Sequence, residues 1–363
     1  MQNKEKLYHT LKTLNFFFSI FLNLFFLIYF LKTGAFLQLK GIIYFKNYWL
    51  SLFFYFSVFY FFILIINLPL HIFIDFFVEK KFKFLKLNFL GWTKEFLKQN
   101  LVTYIIFLIL VIGFYLFLKN FRYSWWIYSW LFFFLFCIIF AKIFPYLILP
   151  LFYKVRELES AELKKEILQL LEKLNTNIKK VFVADFSKKT TKSNAFVCGW
   201  GDSQKVILAD NLVKDFTPKE ILQVISHEVA HLKNHDVLKN IIFSGCVSFL
   251  GFFILKDLIY VILDGFKIPS LYSPETLPVY LLFFYIFNLI FVPLKNTYSR
   301  FLEKKADIFT LKTLKDRESF ISLMEKLAEK NLSEKNPPLW KEILLFDHPP
   351  ISKRIELAQK IKL

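Results

Sequence analysis

Six long apolar stretches constrain this chain more than any other feature of it. They run from Leu14 to Leu31, Trp49 to Val78, Leu101 to Leu118, Trp125 to Phe152, Ile241 to Leu263 and Leu277 to Leu294. A helix needs roughly 18 to 25 residues to cross the hydrocarbon core of a bilayer, where a helix or closed barrel alone satisfies its own backbone. Each stretch is long enough, so the expected fold class is mainly α: a multi-pass α-helical integral membrane protein. Composition agrees, because 56% hydrophobic residues with 50 Phe and only 9 Gly is far from a soluble average. The first stretch reads as a retained anchor, since no A-x-A-like cleavage site follows it.

The formal net charge of +18 raises the question of nucleic acid, but no aromatic-basic platform or groove-reading motif accompanies it. The lysines cluster between the spans instead. Lys4, Lys6 and Lys12 precede span one, Lys80, Lys81, Lys83, Lys86, Lys94 and Lys98 separate spans two and three, and Arg300, Lys304 and Lys305 follow span six. By the positive-inside rule these segments are cytoplasmic, which puts both termini and the 153–240 region on that side. The loop from Lys32 to Lys46 carries three lysines on the other side. The expected charge partner is therefore the lipid bilayer. The three cysteines, Cys137, Cys198 and Cys246, are scattered and imply neither a disulfide framework nor a C-x-x-C site.

Four regions follow: four spans (1–152), a polar insert (153–240), a two-span hairpin (241–294) and a polar tail (295–363). The insert opens on an amphipathic helix with Leu163, Ile167, Leu170, Leu171 and Leu174 at helical spacing. Three β-like runs follow, "KVFVAD" (180–185), "NAFVCGW" (194–200) and "KVILAD" (205–210), which predict a small sheet. "TPKE" (217–220) is a capping box with Pro at the first helical position. With no Pro or Gly from Lys219 to Ser244, the helix it starts is expected to run on towards span five. Polar residues inside the spans, namely Asn67, His71, Asp75, Lys142, Lys256, Asp257 and Asn288, either face a wet interior or snorkel to the interface.

On that helix lies "HEVAH", residues 227 to 231. Four residues at 3.6 per turn bring His227 and His231 to one face. Two imidazoles so placed take two corners of a zinc tetrahedron, and Glu228 beside them is placed to act on a water at the open position. A third ligand is needed. His235, one turn further on, is rotated past the first two and is better suited to a supporting role. In the tail, Glu303 and Asp307 stand four apart; one could complete the ligand set and the other hydrogen-bond a ligand imidazole. Spacing alone does not select this pair, because such pairs are common on solvated helices.

"HEVAH", "RFLEKKAD", "SNAF" and "HPPISKRI" stand in the order and approximate separations of the type I CAAX prenyl proteases, which the chain resembles from about Val78 to its C-terminus. The resemblance implies a cytoplasmic zincin-like (gluzincin) domain that binds one Zn2+ through His227, His231 and Glu303. It implies that Glu228 is the catalytic base and that Asp307 supports a ligand. It further implies that His348 and Arg354 lie in the active site, and that Asn194 and Ala195 line the substrate strand. The expected partner is a peptide or protein substrate, with or without a lipid, and no nucleic acid. The short form points to a bacterial homologue in the inner membrane; in a eukaryote the expected location is the endoplasmic reticulum membrane. The family pattern has seven spans where this chain has six, which leaves open whether it encloses a chamber. The rival readings are a membrane quality-control zinc protease and a non-enzymatic multi-pass protein.

Overall fold

Every apolar stretch folds as a helix long enough to cross a bilayer. The computed structural model describes residues 2–199 and 204–363. Its first part comprises α1 (Gln2–Lys32), the short α2 (Ala35–Ile42), α3 (Tyr48–His71), a π-helical continuation (Ile72–Val78) into α4 (Glu79–Lys81), α5 (Phe89–Asn120), α6 (Trp125–Leu147) and α7 (Leu149–Phe152). Large apolar side chains such as Phe21, Ile65 and Val261 stand exposed on the spans. That suits a lipid-facing surface and would be costly in water.

Eight-residue α2 is too short to cross a membrane and stands between spans one and two. Gly34, at φ +72°, supplies the left-handed turn that lets it fold back. It buries Phe36 and Leu39 and pairs Lys40 with the fully buried Glu275 of the loop joining spans five and six.

The polar insert contains β1 (Val155–Glu157), α8 (Ala161–Lys173), β2 (Lys180–Ala184), β3 (Ala195–Cys198), β4 (Lys205–Ala209), α9 (Asp210–Asp215) and α10 (Pro218–Lys233). The strands form one sheet in the order β1-β2-β4-β3; β2 and β4 are parallel and the outer pairings antiparallel. Its core joins the leucine stripe of α8 (Leu163, Ile167, Leu170, Leu171) to Val181, Val183, Val206 and Leu208 of the sheet and to Ile221, Ile225 and Val229 of α10. Three strands match the β-like runs. The second run shortens to Ala195–Cys198, and its Trp200 lies outside the described residues. The fourth, β1, has only three residues and no alternation of burial, so it owes its place to pairing with β2.

At the start of α10 the capping box forms: the Thr217 backbone N–H donates to Glu220 (2.8 Å), and the Glu220 backbone N–H donates to the Thr217 hydroxyl (3.3 Å). Helices α11 (Asp236–Gly265) and α12 (Leu277–Leu314) make spans five and six, and α13 (Arg317–Asn331), α14 (Leu339–Leu345) and α15 (Ile351–Lys360) complete the tail.

Two expectations need correction. The helix carrying "HEVAH" does not run into span five. It stops at Lys233, and His235 takes a left-handed conformation (φ 54°, ψ 37°) before α11 begins. Histidine, with Asn and Asp, tolerates that conformation better than most residues, so neither Gly nor Pro is needed for the break. Conversely, the polar tail that holds Glu303 and Asp307 is not set off from span six, because α12 runs unbroken from the membrane span through both.

Candidate active site

Helix α10 presents His227 and His231 on one face, their Nε2 atoms 3.1 Å apart. Helix α12 brings Glu303 against both, with Oε2 3.1 Å from His227 Nε2 and Oε1 3.3 Å from His231 Nε2. A tetrahedral divalent ion with bonds of about 2.0–2.1 Å has ligand-to-ligand edges of about 3.3 Å. The two imidazole nitrogens and the carboxylate therefore stand where such an ion's ligands would, and two imidazoles with a carboxylate are a fitting donor set.

The outer nitrogens are held as a metal centre requires. His231 Nδ1 lies 2.9 Å from Asp236 Oδ2. His227 Nδ1 lies 3.0 Å from Asp307 Oδ1, a close charge pair whose angle falls short of a well-formed hydrogen bond. Both contacts leave the Nε2 atoms free for an ion. Asp307 is fully buried and is gripped by Arg354, whose Nε and Nη2 donate to its two oxygens at 2.8 and 2.5 Å. Arg354 thus acts on the site through Asp307 and His227.

The supporting role expected of His235 falls instead to Asp236. His235 is exposed at the helix break and makes no side-chain hydrogen bond among the described residues, whereas the break swings buried Asp236 onto His231. In a continuous helix, five residues from His231 would have turned Asp236 off that face, so spacing gave no signal for it.

Without an ion, burial opposes a charge on His227, but the Asp307 and Glu303 carboxylates outweigh it and hold its pKa up at about 9. The carboxyl of Glu228 is pushed up, chiefly by burial, which brings a carboxylate towards the range useful to a general base. His348, on the loop between α14 and α15, is pushed up mainly by its hydrogen bond with Asp347 (2.8 Å). Its Nε2 lies 3.3 Å from Glu303 Oε1, and its side chain is more than half exposed.

His227, Glu228 and His348 open on a cavity of about 1000 Å³ that Asn194 and Ala195 also line. Residues of α1 (Tyr8, Lys12, Phe16) and α12 (Tyr285, Asn288, Asn296) line it too, so Asn288 is one span residue that does face an interior space. Ala195 begins β3, the edge strand of the sheet. A second, apolar cavity of about 780 Å³, walled by Phe114, Phe133, Phe252 and Tyr280, adjoins the first at Asn296 and Asp347, which line both. The other span polars mostly pair with neighbours: Asn67 with Asn23, His71 with Asp75 and Lys256 with Asp257.

Arg354→Ala would leave the buried Asp307 with His227 alone beside it, and a buried pair that loses one partner is destabilised by about 3–5 kcal/mol. The expected result is a large fall in the thermal midpoint of the purified protein. A midpoint within a degree of wild type would show that the pair does not hold the fold.

Fold and site together define a multi-pass membrane protein carrying a metallopeptidase-type His–Glu centre. Residues 157–362 match Peptidase family M48, and residues 2–154 match a region described as CAAX prenyl protease N-terminal, five membrane helices. The chain belongs to Peptidase family M48. It is 28% identical over 274 residues to the uncharacterized metalloprotease YhfN of Bacillus subtilis, covering 74% of this chain and 64% of that protein. Against CAAX prenyl protease 1 of Saccharomyces cerevisiae it is 30% identical over 318 residues, covering 80% and 68%. The crystal structure of S. mikatae Ste24p superposes with a TM-score of 0.88 at 26% identity, covering 98% of this chain and 88% of that one. The chain thus spans about two thirds of the length of these two curated relatives. Where the matched N-terminal region is described with five membrane helices, this chain has four spans and α2 among the described residues.

Proposed function

We propose that this protein is a zinc metalloendopeptidase that hydrolyses peptide bonds at the membrane surface, with His227, His231 and Glu303 holding one Zn2+. The observation that carries the proposal is the His–His–Glu group whose His227 lines one cavity together with Glu228 and the start of an edge strand. When bound, zinc polarises the scissile carbonyl and makes the attacking water more acidic. An extended peptide adds to the free edge of β3 at Asn194 and Ala195, its backbone pairing as a further strand. Glu228 takes the proton of the attacking water and delivers it to the leaving amine. His348, held by its hydrogen bond with Asp347, donates to the developing oxyanion. Asp307 holds the ring of His227, and Arg354 holds Asp307. Lysine placement sets the zinc domain and both termini on the cytoplasmic side, in a bacterial inner membrane if the source is bacterial.

Relatives named CAAX prenyl proteases suggest a C-terminal, prenylated peptide as substrate. The apolar cavity adjoining the site is sized and lined for an apolar chain. The test is a cleavage assay on purified protein, with a farnesylated CAAX peptide set against its unmodified twin. Preferential cleavage of the lipidated peptide is expected. Equal cleavage of both would show that lipid is not read and would favour a quality-control protease of broad specificity; cleavage of neither, in zinc-loaded protein, would remove the peptidase reading.

Metal uptake should depend on pH. Since the His227 imidazole is held up at about 9 in the metal-free chain, an ion must displace its proton at any lower pH. Apparent affinity should therefore rise about tenfold per pH unit towards pH 9, one proton leaving per ion from this group. Titration of metal-free protein with zinc in two buffers of different ionisation enthalpy counts the protons. A pH-independent affinity would contradict the proton-loaded ligand set.

A further inference from the structure

Helix α14 is built inside out. Its charged residues Lys341 and Glu342 are 7% and 8% exposed, while its apolar Leu339 and Trp340 are 68% and 48% exposed. In water this arrangement loses twice, because buried charges need partners and a bare Leu–Trp pair gains nothing. The buried side is fully engaged. Lys341 pairs with Glu334, and Glu342 takes two hydrogen bonds from Lys353 of α15 at 2.7 and 2.9 Å. Helix α12 seizes the C-terminal carbonyls: Arg300 donates to the oxygens of Glu342 and Phe346 at 2.7 and 2.6 Å, and Asn296 donates to that of Leu344 at 2.9 Å. The helix is thus fixed with its apolar face outward.

That face is continuous with a surface already assigned to lipid. The Trp340 ring lies 6.1 Å from the ring of Phe17 in span one. Phe17 belongs to an exposed stripe with Leu14 and Phe21, spaced along one helix face. Tryptophan is also the residue that favours the headgroup level of a bilayer.

We infer that α14 is an interfacial helix, lying in the headgroup region on the active-site side of the bilayer with Leu339 and Trp340 in lipid. Leu344 and Leu345 of the helix and Phe346 just beyond it line the cavity that holds Glu228, and His348 follows two residues later. Lipid contact on the outer face therefore backs one wall of the site.

The test uses the full chain in phosphatidylcholine–phosphatidylglycerol nanodiscs, with Cys137, Cys198 and Cys246 replaced by Ser and one nitroxide attached at Leu339→Cys or Trp340→Cys. Collision with oxygen and with a water-soluble nickel chelate is compared with Phe21→Cys as the lipid reference and Lys360→Cys as the water reference. At both positions the oxygen-to-nickel ratio should match the lipid reference and exceed the water reference severalfold. A water-like ratio at either position overturns the inference. So does protection from both reagents, which would mean that a second copy or another protein covers the face.

Discussion

Glu228→Gln should abolish peptide cleavage while leaving the metal in place. The substitution keeps the shape of the side chain and removes its ability to accept a proton. His227, His231 and Glu303, which form the candidate ligand group, are untouched, so metal content should stay at the wild-type level. General acid–base catalysis by one side chain contributes about 10²–10⁴-fold, and Glu228 is asked to act twice, on the water and on the leaving amine. A loss at the upper end of that range is expected. Because burial raises the Glu228 pKa, the acid limb of the wild-type kcat/KM profile should fall above the ordinary carboxylate range, activity disappearing as pH drops through it. The check is cleavage rate and metal content on the same preparation; a variant with full metal and wild-type turnover would sink the mechanism.

The parts of this molecule that were readable in its sequence are those set by local periodicity. Uninterrupted apolar runs of membrane length leave little choice but helices, and all six formed. Thr217, Pro218 and Glu220 specify a helix start within four residues, and the capping box is there. The spacing of His227 and His231 converts directly into a shared helix face. What the sequence did not disclose depends on where the chain turns. The left-handed His235 has no Gly or Pro to announce it, yet it decides that Asp236, not His235, supports His231. The resemblance placed Arg354 in the active site without giving it a partner, and its grip on Asp307 needs α12 and α15 to meet, 47 positions apart in sequence. Short β1 carries too little pattern to be seen. The inverted burial of helix α14 was not readable either, because burial of Lys341 and Glu342 contradicts what residue type alone predicts.

Glu303→Ala should fail differently from Glu228→Gln, and the difference separates a ligand from a base. Glu303 is 76 positions from His227 in sequence and reaches it because α12 carries span six straight on to the metallopeptidase site. Its two oxygens face the two imidazoles and His348 at 3.1 to 3.3 Å, so no other carboxylate group in the cluster duplicates it. Losing a residue that merely orients a ligand typically lowers metal affinity 10–100-fold; losing a ligand should exceed that, enough to leave the purified variant without stoichiometric metal. Cleavage then falls at least as far as in Glu228→Gln, but for want of the ion. Excess zinc should restore part of the Glu303→Ala activity and none of the Glu228→Gln activity, since added metal cannot replace a proton acceptor. Glu303→Asp, one methylene shorter, should lie between, holding metal weakly from the same helix position. Full metal retention in Glu303→Ala would remove this residue from the ligand set and require another group near His348 to take its place. Asp347 is the carboxylate there, and Asp347→Asn would then have to lose the metal that Glu303→Ala kept.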